Sequence, residues 1–285
     1  MILRDHSKDK IIQAMEDNLD AFTSLLPLNN PNYVIDDFGD MVRVTTGLPH
    51  PIVNWITSVR FNDQNAERRI AENMQFYHEK KLPMMWGITP SSTPSNILTL
   101  LENAGLQIPK EGSPGMAYDL RDLTDDHWEE ALARAKVQVT EVESESSLKL
   151  WGEVFQEGYG ISETITEKFL ILFELLSSVL VNYLATLNEK PVAIASVAYH
   201  GGVAGIFNVA TKPAFRGKGI GTTVTLAPLM AAKKKGYEIA WLESSEMAEK
   251  LYKRIGFGEY CRLFRCFYSP DQEDSLLQGE AESAQ

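Results

Sequence analysis

The chain is 285 residues long, 44% apolar, and carries a formal net charge of −12. That length and composition suffice for a sizeable core and for two domains, while the charge argues against non-specific binding to nucleic acid or to an anionic membrane. The first twenty residues are charged and lack an apolar signal core, and no run approaches the ~20 apolar residues that span a bilayer, so a cytoplasmic protein is expected.

In chain order, residues 52–61 read as a strand, followed by Asn62-Asp63-Gln64-Asn65 and a helix at 66–79. A strand at 83–88 carries Trp86. A helix at 95–104 ends at Gly105-Leu106, and a strand follows at 115–120. Residues 121–136 are charged and poor in strand pattern, which marks a boundary: an N-terminal domain at 1–125, a linker at 126–136 and a second domain at 137–270. The second domain opens with a strand at 137–142 and amphipathic helices at 144–158 and 167–180. Strands at 182–187 and 191–199 form a hairpin through Asn188-Glu189-Lys190, and Gly201-Gly202 turns into an apolar strand at 203–210.

That strand leads into Arg216-Gly217-Lys218-Gly219-Ile220-Gly221 and a helix at 222–235. A glycine-rich turn between strand and helix leaves backbone N–H groups unpaired at the positive end of the helix dipole, which suits phosphate. The spacing is not G-x-x-x-x-G-K-[ST], because Gly219 follows Lys218, and it is not G-x-G-x-x-G, because the glycines fall as G-x-G-x-G. It is R-x-x-G-x-G. Lys212, Arg216 and Lys218 add local positive charge beside this turn, and Lys233-Lys234-Lys235 reads as a solvated helix end. Pro228 removes one helical donor and predicts a kink.

Downstream, 239–243 reads as a strand, with Trp241-Leu242-Glu243-Ser244-Ser245 its end and the turn that follows. A helix at 247–255 ends at Gly256, and a final strand runs over 259–268. Cys261 and Cys266 lie five apart in that strand, on opposite faces, and fit neither a disulfide framework nor a zinc site. The histidines are scattered and no metal is expected. The tail at 271–285 has no basic residue and few apolar ones, and is expected to be disordered.

The R-x-x-G-x-G loop, together with Leu242-x-x-Ser245-x-x-Ala248-x-x-Leu251-Tyr252-x-x-x-Gly256-Phe257, resembles the two sequence blocks of the GNAT acetyltransferase superfamily. The resemblance covers 137–268 and implies an α/β fold with a mixed α+β sheet. It implies acetyl-CoA as co-substrate, held by Arg216, Gly217, Lys218, Gly219, Ile220, Gly221 and Thr222, and transfer of acetyl to a primary amine by direct attack in a ternary complex. It also implies a bulged strand whose main chain at Asn208, Val209 and Ala210 pairs with the pantetheine arm, with the N–H near Val209 facing the thioester carbonyl. Tyr252 matches the residue that protonates the departing thiolate, or else packs its ring. Ser245 either lies near the pantetheine or caps the next helix. The general base stays open between Glu243, His200 and a water relay, since 203–210 holds no acid. The acceptor is a small-molecule amine or a peptide amine, with neither nucleic acid nor membrane as partner. A CoA-binding protein without turnover and an acyltransferase for longer acyl groups are the competing readings.

Against that family pattern, the first half repeats the order strand with Trp, helix, Gly-apolar, strand. Asn62-Asp63-Gln64-Asn65 replaces the glycine loop and Leu101 stands where Tyr252 does. A tandem protein is expected, with a degenerate N-terminal GNAT-like domain that has lost its cofactor site.

Overall fold

The computed structural model describes residues 2–28 and 30–270. The tail expected to be disordered, 271–285, lies outside the described residues. The chain divides into two units that do not follow the expected linear cut. The first unit joins the segment up to Leu26 with Ser113–Cys261. The second joins Pro27–Gly112 with the segment from Arg262 onward.

The chain starts in the first unit with helix α1 (Lys8–Ser24), which the sequence reading left unassigned. Ile11, Ala14, Met15, Asn18 and Ala21 recur at helical spacing and are its buried face. It then crosses into the second unit, which contains β1 (Val34–Asp37), β2 (Val42–Thr45), β3 (Asn54–Thr57), α2 (Ala66–Glu79), β4 (Met84–Ile88) and α3 (Ile97–Asn103). β3 is shorter than the strand expected at 52–61. The positive φ of Ser58 (56°) follows its last residue, and only an isolated bridge from Arg60 to Thr93 continues the pairing.

The chain returns to the first unit at β5 (Ser113–Asp119). The expected linker is instead helix α4 (Asp125–Ala135). Its start is fixed by the Thr124 backbone N–H donating to His127 Nδ1 at 3.1 Å, and Lys136 ends it in a left-handed conformation. Trp128 and Ala131 pack its inner face on the core of the unit, so its charge belongs to an amphipathic helix surface. There follow β6 (Gln138–Glu141), α5 (Glu145–Tyr159) and α6 (Glu163–Leu175). α6 starts and ends earlier than the helix expected at 167–180, because the Ser162 hydroxyl caps it and Leu180 already begins the next strand. β7 (Leu180–Leu187), β8 (Lys190–His200), β9 (Val203–Thr211), α7 (Ile220–Lys234), β10 (Ile239–Glu243), α8 (Glu249–Ile255) and β11 (Gly258–Tyr268) complete the chain. α7 runs unbroken through Pro228, which is buried.

Each unit builds a mixed sheet. In the first, the order is β5-β10-β9-β8-β7-β6, with β9 and β10 parallel and the other neighbours antiparallel. In the second, the order is β1-β2-β3-β4-β11, with β3 and β4 parallel. The units share a pattern of an antiparallel run, one parallel pair, then an antiparallel terminal strand. The terminal strands are exchanged in sequence. β5, from the N-terminal half, pairs with β10, setting Ala117 opposite Trp241. β11, from the C-terminal half, pairs with β4, setting Cys266 opposite Trp86. Both tryptophans are buried in the cores of their own units. Among the described residues, no helix is long and apolar enough to cross a membrane.

Candidate active site

The site lies in the first unit, where β9 and β10 part. Their parallel pairing is confined to Ala204–Ala240 and Gly205–Trp241. Beyond those pairs, 206–211 on one side and 243–245 on the other wall a cleft of about 1070 Å³. On the far side of β9, the register with β8 jumps. Phe207 faces Ser196 and Ala210 faces Ile194, so Asn208 and Val209 together oppose only Ala195. This two-against-one arrangement is a β-bulge.

Asn208 takes φ of 54°, a left-handed conformation that asparagine tolerates better than most side chains. Its side-chain amide donates to Ser196 Oγ at 3.1 Å, and the Ser196 hydroxyl donates to Asn182 Oδ1 at 2.6 Å. Ser196 is fully buried. A three-residue polar chain across β7, β8 and β9 therefore pins the bulge. Val209, Asn208 and Ala210 all line the cleft.

β9 leads into the glycine loop. Gly219 is the N-cap of α7 with φ of 82°, a conformation that costs a side-chain-bearing residue about 1–2 kcal/mol. Among the described residues, the backbone N–H groups of Gly217 through Thr222 have no hydrogen-bond partner, whereas Thr223 N–H closes the first helical bond to Gly219 O. Six consecutive free donors at the positive end of a 15-residue helix form an anion cradle. The loop's cations point elsewhere. Arg216 donates to the carbonyls of Thr211 and Gly158, each at 3.1 Å. Lys218 Nζ is 3.4 Å from Ala214 O and lies over the Phe215 ring. Lys212, expected beside phosphate, is instead paired with Glu157 at 3.1 Å. Lys233, Lys234 and Lys235 are exposed at the end of α7, as read from the sequence, and Lys233 Nζ also donates to Leu123 O.

Across the cleft, Tyr252 is buried at 6% exposure on α8, with Phe257 edge-on to its ring. Burial, and then the neighbouring Tyr159 phenol, raise its hydroxyl above the ordinary tyrosine range. It is therefore a phenol that stays protonated and lines the cleft at the same time. Ser245 lines the cleft too, but as no cap. Its carbonyl accepts from Ala248 and Glu249 N–H, and α8 has no side-chain cap. α8 therefore starts at Glu249 rather than 247. Glu243 is the only carboxylate on the cleft wall among the described residues. His200 lies outside the cleft, with Nδ1 3.2 Å from the carbonyl of Asp17 on α1, so of the two side chains considered as base only Glu243 is in place.

Sequence reasoning missed the part of the wall contributed by α5 and α4. Tyr159 lies over the bulge, its hydroxyl 3.5 Å from Val209 O. Gly158, just before it, and Arg134, from α4, also line the cleft. The glycine inside an amphipathic helix was the available signal for a close approach.

The second unit shows the same corner closed. At the start of α2, Asn65 Oδ1 accepts from Asn62 N–H at 2.9 Å, and Asn62 Oδ1 accepts from the N–H groups of Gln64 and Asn65, each at 3.0 Å. The Asp40 carboxylate accepts from the Asn65 amide and is paired with Arg69 at 2.5 Å. Side chains of the protein itself thus hold the N–H groups of Asn62, Gln64 and Asn65, and Asp40 supplies a negative charge.

Residues 147–257 match the model of the acetyltransferase (GNAT) family. No curated protein matches the chain. Among solved structures, a GCN5-related N-acetyltransferase from Kribbella flavida superposes with a TM-score of 0.67 at 16% identity, covering 90% of this chain and 95% of that one. One from Sphaerobacter thermophilus gives 0.59 at 16%, covering 92% of each. A tandem GNAT protein from the clavulanic acid biosynthesis pathway gives 0.58 at 11%, covering 92% and 94%. At these identities the likeness is one of fold, and it extends over both units.

Proposed function

We propose that the protein, whose residues 147–257 match the model of the acetyltransferase (GNAT) family, moves an acetyl group from acetyl-CoA to a primary amine by direct attack in a ternary complex. The observation that carries this reading is the row of six unpartnered N–H groups, Gly217 to Thr222, opening on a cleft that also holds Tyr252 and Glu243. Acetyl-CoA supplies an activated thioester and needs only positioning, carbonyl polarisation and a proton for the leaving sulfur.

The residues fit those needs. The glycine loop holds the phosphates through its main chain. Asn208, Val209 and Ala210, out of register with β8, offer main-chain groups to the pantetheine arm, with Val209 N–H as the donor to the carbonyl oxygen. Glu243 takes the proton lost by the amine nitrogen, directly or through one water. Tyr252 gives its phenolic proton to the sulfur as the C–S bond breaks. The second unit, whose cradle its own asparagines and Asp40 fill, is the degenerate copy.

The test uses the full chain with acetyl-CoA, a panel of small amines and peptide N-termini, and a thiol-release readout. Amine-dependent thiol release is the expected result. Tight CoA binding with no release for any acceptor class would favour a sensor over an enzyme. Gly219→Val is expected to abolish CoA binding in calorimetry, because the side chain opposes the left-handed φ and the close approach of an anion.

A further inference from the structure

Four cationic side chains line the cleft: Arg134, Arg216, Lys218 and Arg254. The two that belong to the R-x-x-G-x-G loop are turned onto the carbonyls of Thr211, Gly158 and Ala214. Arg216 thereby commits two of its five N–H donors, and Lys218 one of its three, to carbonyls of the protein. Arg134 is different in origin and in environment. It stands in the last turn of α4, outside the family-matched stretch. α4 is fastened to α7 by the Thr223 hydroxyl, which donates to Ala131 O at 3.0 Å, and by Lys233 at its other end.

That fastening lays the Arg134 stem across the phosphate corner. A Cβ built on Gly219 would lie 3.2 Å from Arg134 Cδ and 3.5 Å from its Cγ. The guanidinium is exposed and, among the described residues, has no hydrogen-bond or ion-pair partner. The C-terminal end of α4 favours a cation at this position. It does not account for a cation held beside the positive end of α7 and its six free N–H groups, an arrangement that is repulsive until an anion joins it.

We infer that Arg134 is a phosphate ligand for the nucleotide half of acyl-CoA. The anion corner is then built from two parts. The motif contributes backbone donors, and a helix outside the motif contributes the charge, with five N–H donors in a planar fork. Gly219 has a second reason to lack a side chain, since any Cβ there would press on the arginine stem. The inference rests on the proposed CoA site.

Calorimetry on the full chain tests it, with CoA, with dephospho-CoA, which lacks the 3′-phosphate, and with pantetheine, which lacks every phosphate. Arg134→Ala is expected to weaken CoA binding about tenfold, the lower end for a charge-assisted hydrogen bond because the site is exposed. Arg134→Glu should weaken it further, and Arg134→Lys should restore part of the loss. The slope of affinity against salt should shrink in the alanine variant. Pantetheine binding and the melting temperature should not change, which a merely structural role would not predict. If the tenfold loss persists with dephospho-CoA, the pyrophosphate is the partner; if it vanishes, the 3′-phosphate is. Wild-type affinity for CoA in both Arg134→Ala and Arg134→Glu would overturn the inference while leaving the CoA site standing. A wild-type chain that binds no CoA would remove the site and the inference together.

Discussion

Gly158 lies so close to Ala210 that a Cβ on the glycine would stand 2.8 Å from the alanine's own. The helix α5 is thereby seated on the bulged strand, and Arg216 reinforces the contact by donating to Gly158 O. Gly158→Ala sets two effects against each other. Helix propensity favours alanine by about 1 kcal/mol, while overpacking costs ~1–3 kcal/mol. The clash is expected to win and to be relieved by moving β9, lowering CoA affinity roughly fivefold for each net kcal/mol. Calorimetry with unchanged affinity would mean that the strand has slack.

The polar chain Asn208–Ser196–Asn182 gives a second prediction. Asn208→Ala loses one hydrogen bond of about 1 kcal/mol and places a Cβ-bearing residue in a left-handed conformation at ~1–2 kcal/mol. Asn208→Gly loses only the first. Denaturant midpoints should therefore rank wild type, then glycine, then alanine. The glycine variant should keep the KM for the acyl donor closer to wild type, because the bulge keeps its shape. Equal losses in both variants would show that φ is not what the asparagine secures.

Much of this geometry was legible in the sequence because it is local. The glycine loop, α7, β10 and the tyrosine of α8 follow one another within 60 residues, and period and turn residues mark each of them. The polar chain was not legible, since Asn182, Ser196 and Asn208 meet only through strand register, and register is set by pairing. The exchange of β5 and β11 was hidden for the same reason. Either strand would present the same apolar alternation to its own half or to the other. α4 was misread because its charged outer face resembles a linker, and its inner face, Trp128 and Ala131, is small.

The strand exchange predicts what truncation does. A fragment of residues 137–270, the domain that sequence alone marks out, lacks α1, β5 and α4. It would expose the face covered by Ala14, Met15 and Asn18 and leave β10 without the strand that carries Met116, Ala117 and Tyr118, all buried. It is expected to aggregate, or to give far-UV structure with no near-UV signal. A soluble fragment that binds CoA like the full chain would show that the exchange contributes nothing to the fold.

One CoA per chain is the expected stoichiometry. In the second unit the N–H groups of Asn62, Gln64 and Asn65 already serve the side chains of Asn62 and Asn65, and Asp40 presents a negative charge to the same corner. Titration calorimetry giving two equivalents would contradict this. Loss of the single equivalent in Gly219→Val would assign it to the first unit.

The last prediction concerns Tyr252. Tyr252→Phe keeps the ring that packs against Phe257 and removes only the donor. General acid catalysis is worth ~100- to ~10,000-fold. Water entering the cleft replaces part of it, so turnover is expected to fall by at least about tenfold, with CoA affinity within about threefold because binding rests on the loop. The pH dependence follows from the direction of the shift. Burial and the nearby Tyr159 phenol raise the folded-state pKa above the ordinary value near 10. The proton is therefore fully present below 10 and is lost only as pH rises through the raised value. The wild-type rate should show no loss of its acid between pH 7 and 10, and any falling limb there belongs to another group. The stability linked to this burial runs the same way, present below the unfolded value and lost as pH rises through the folded one. Wild-type turnover in the phenylalanine variant would leave Tyr252 as a packing residue of α8 and return the proton to solvent.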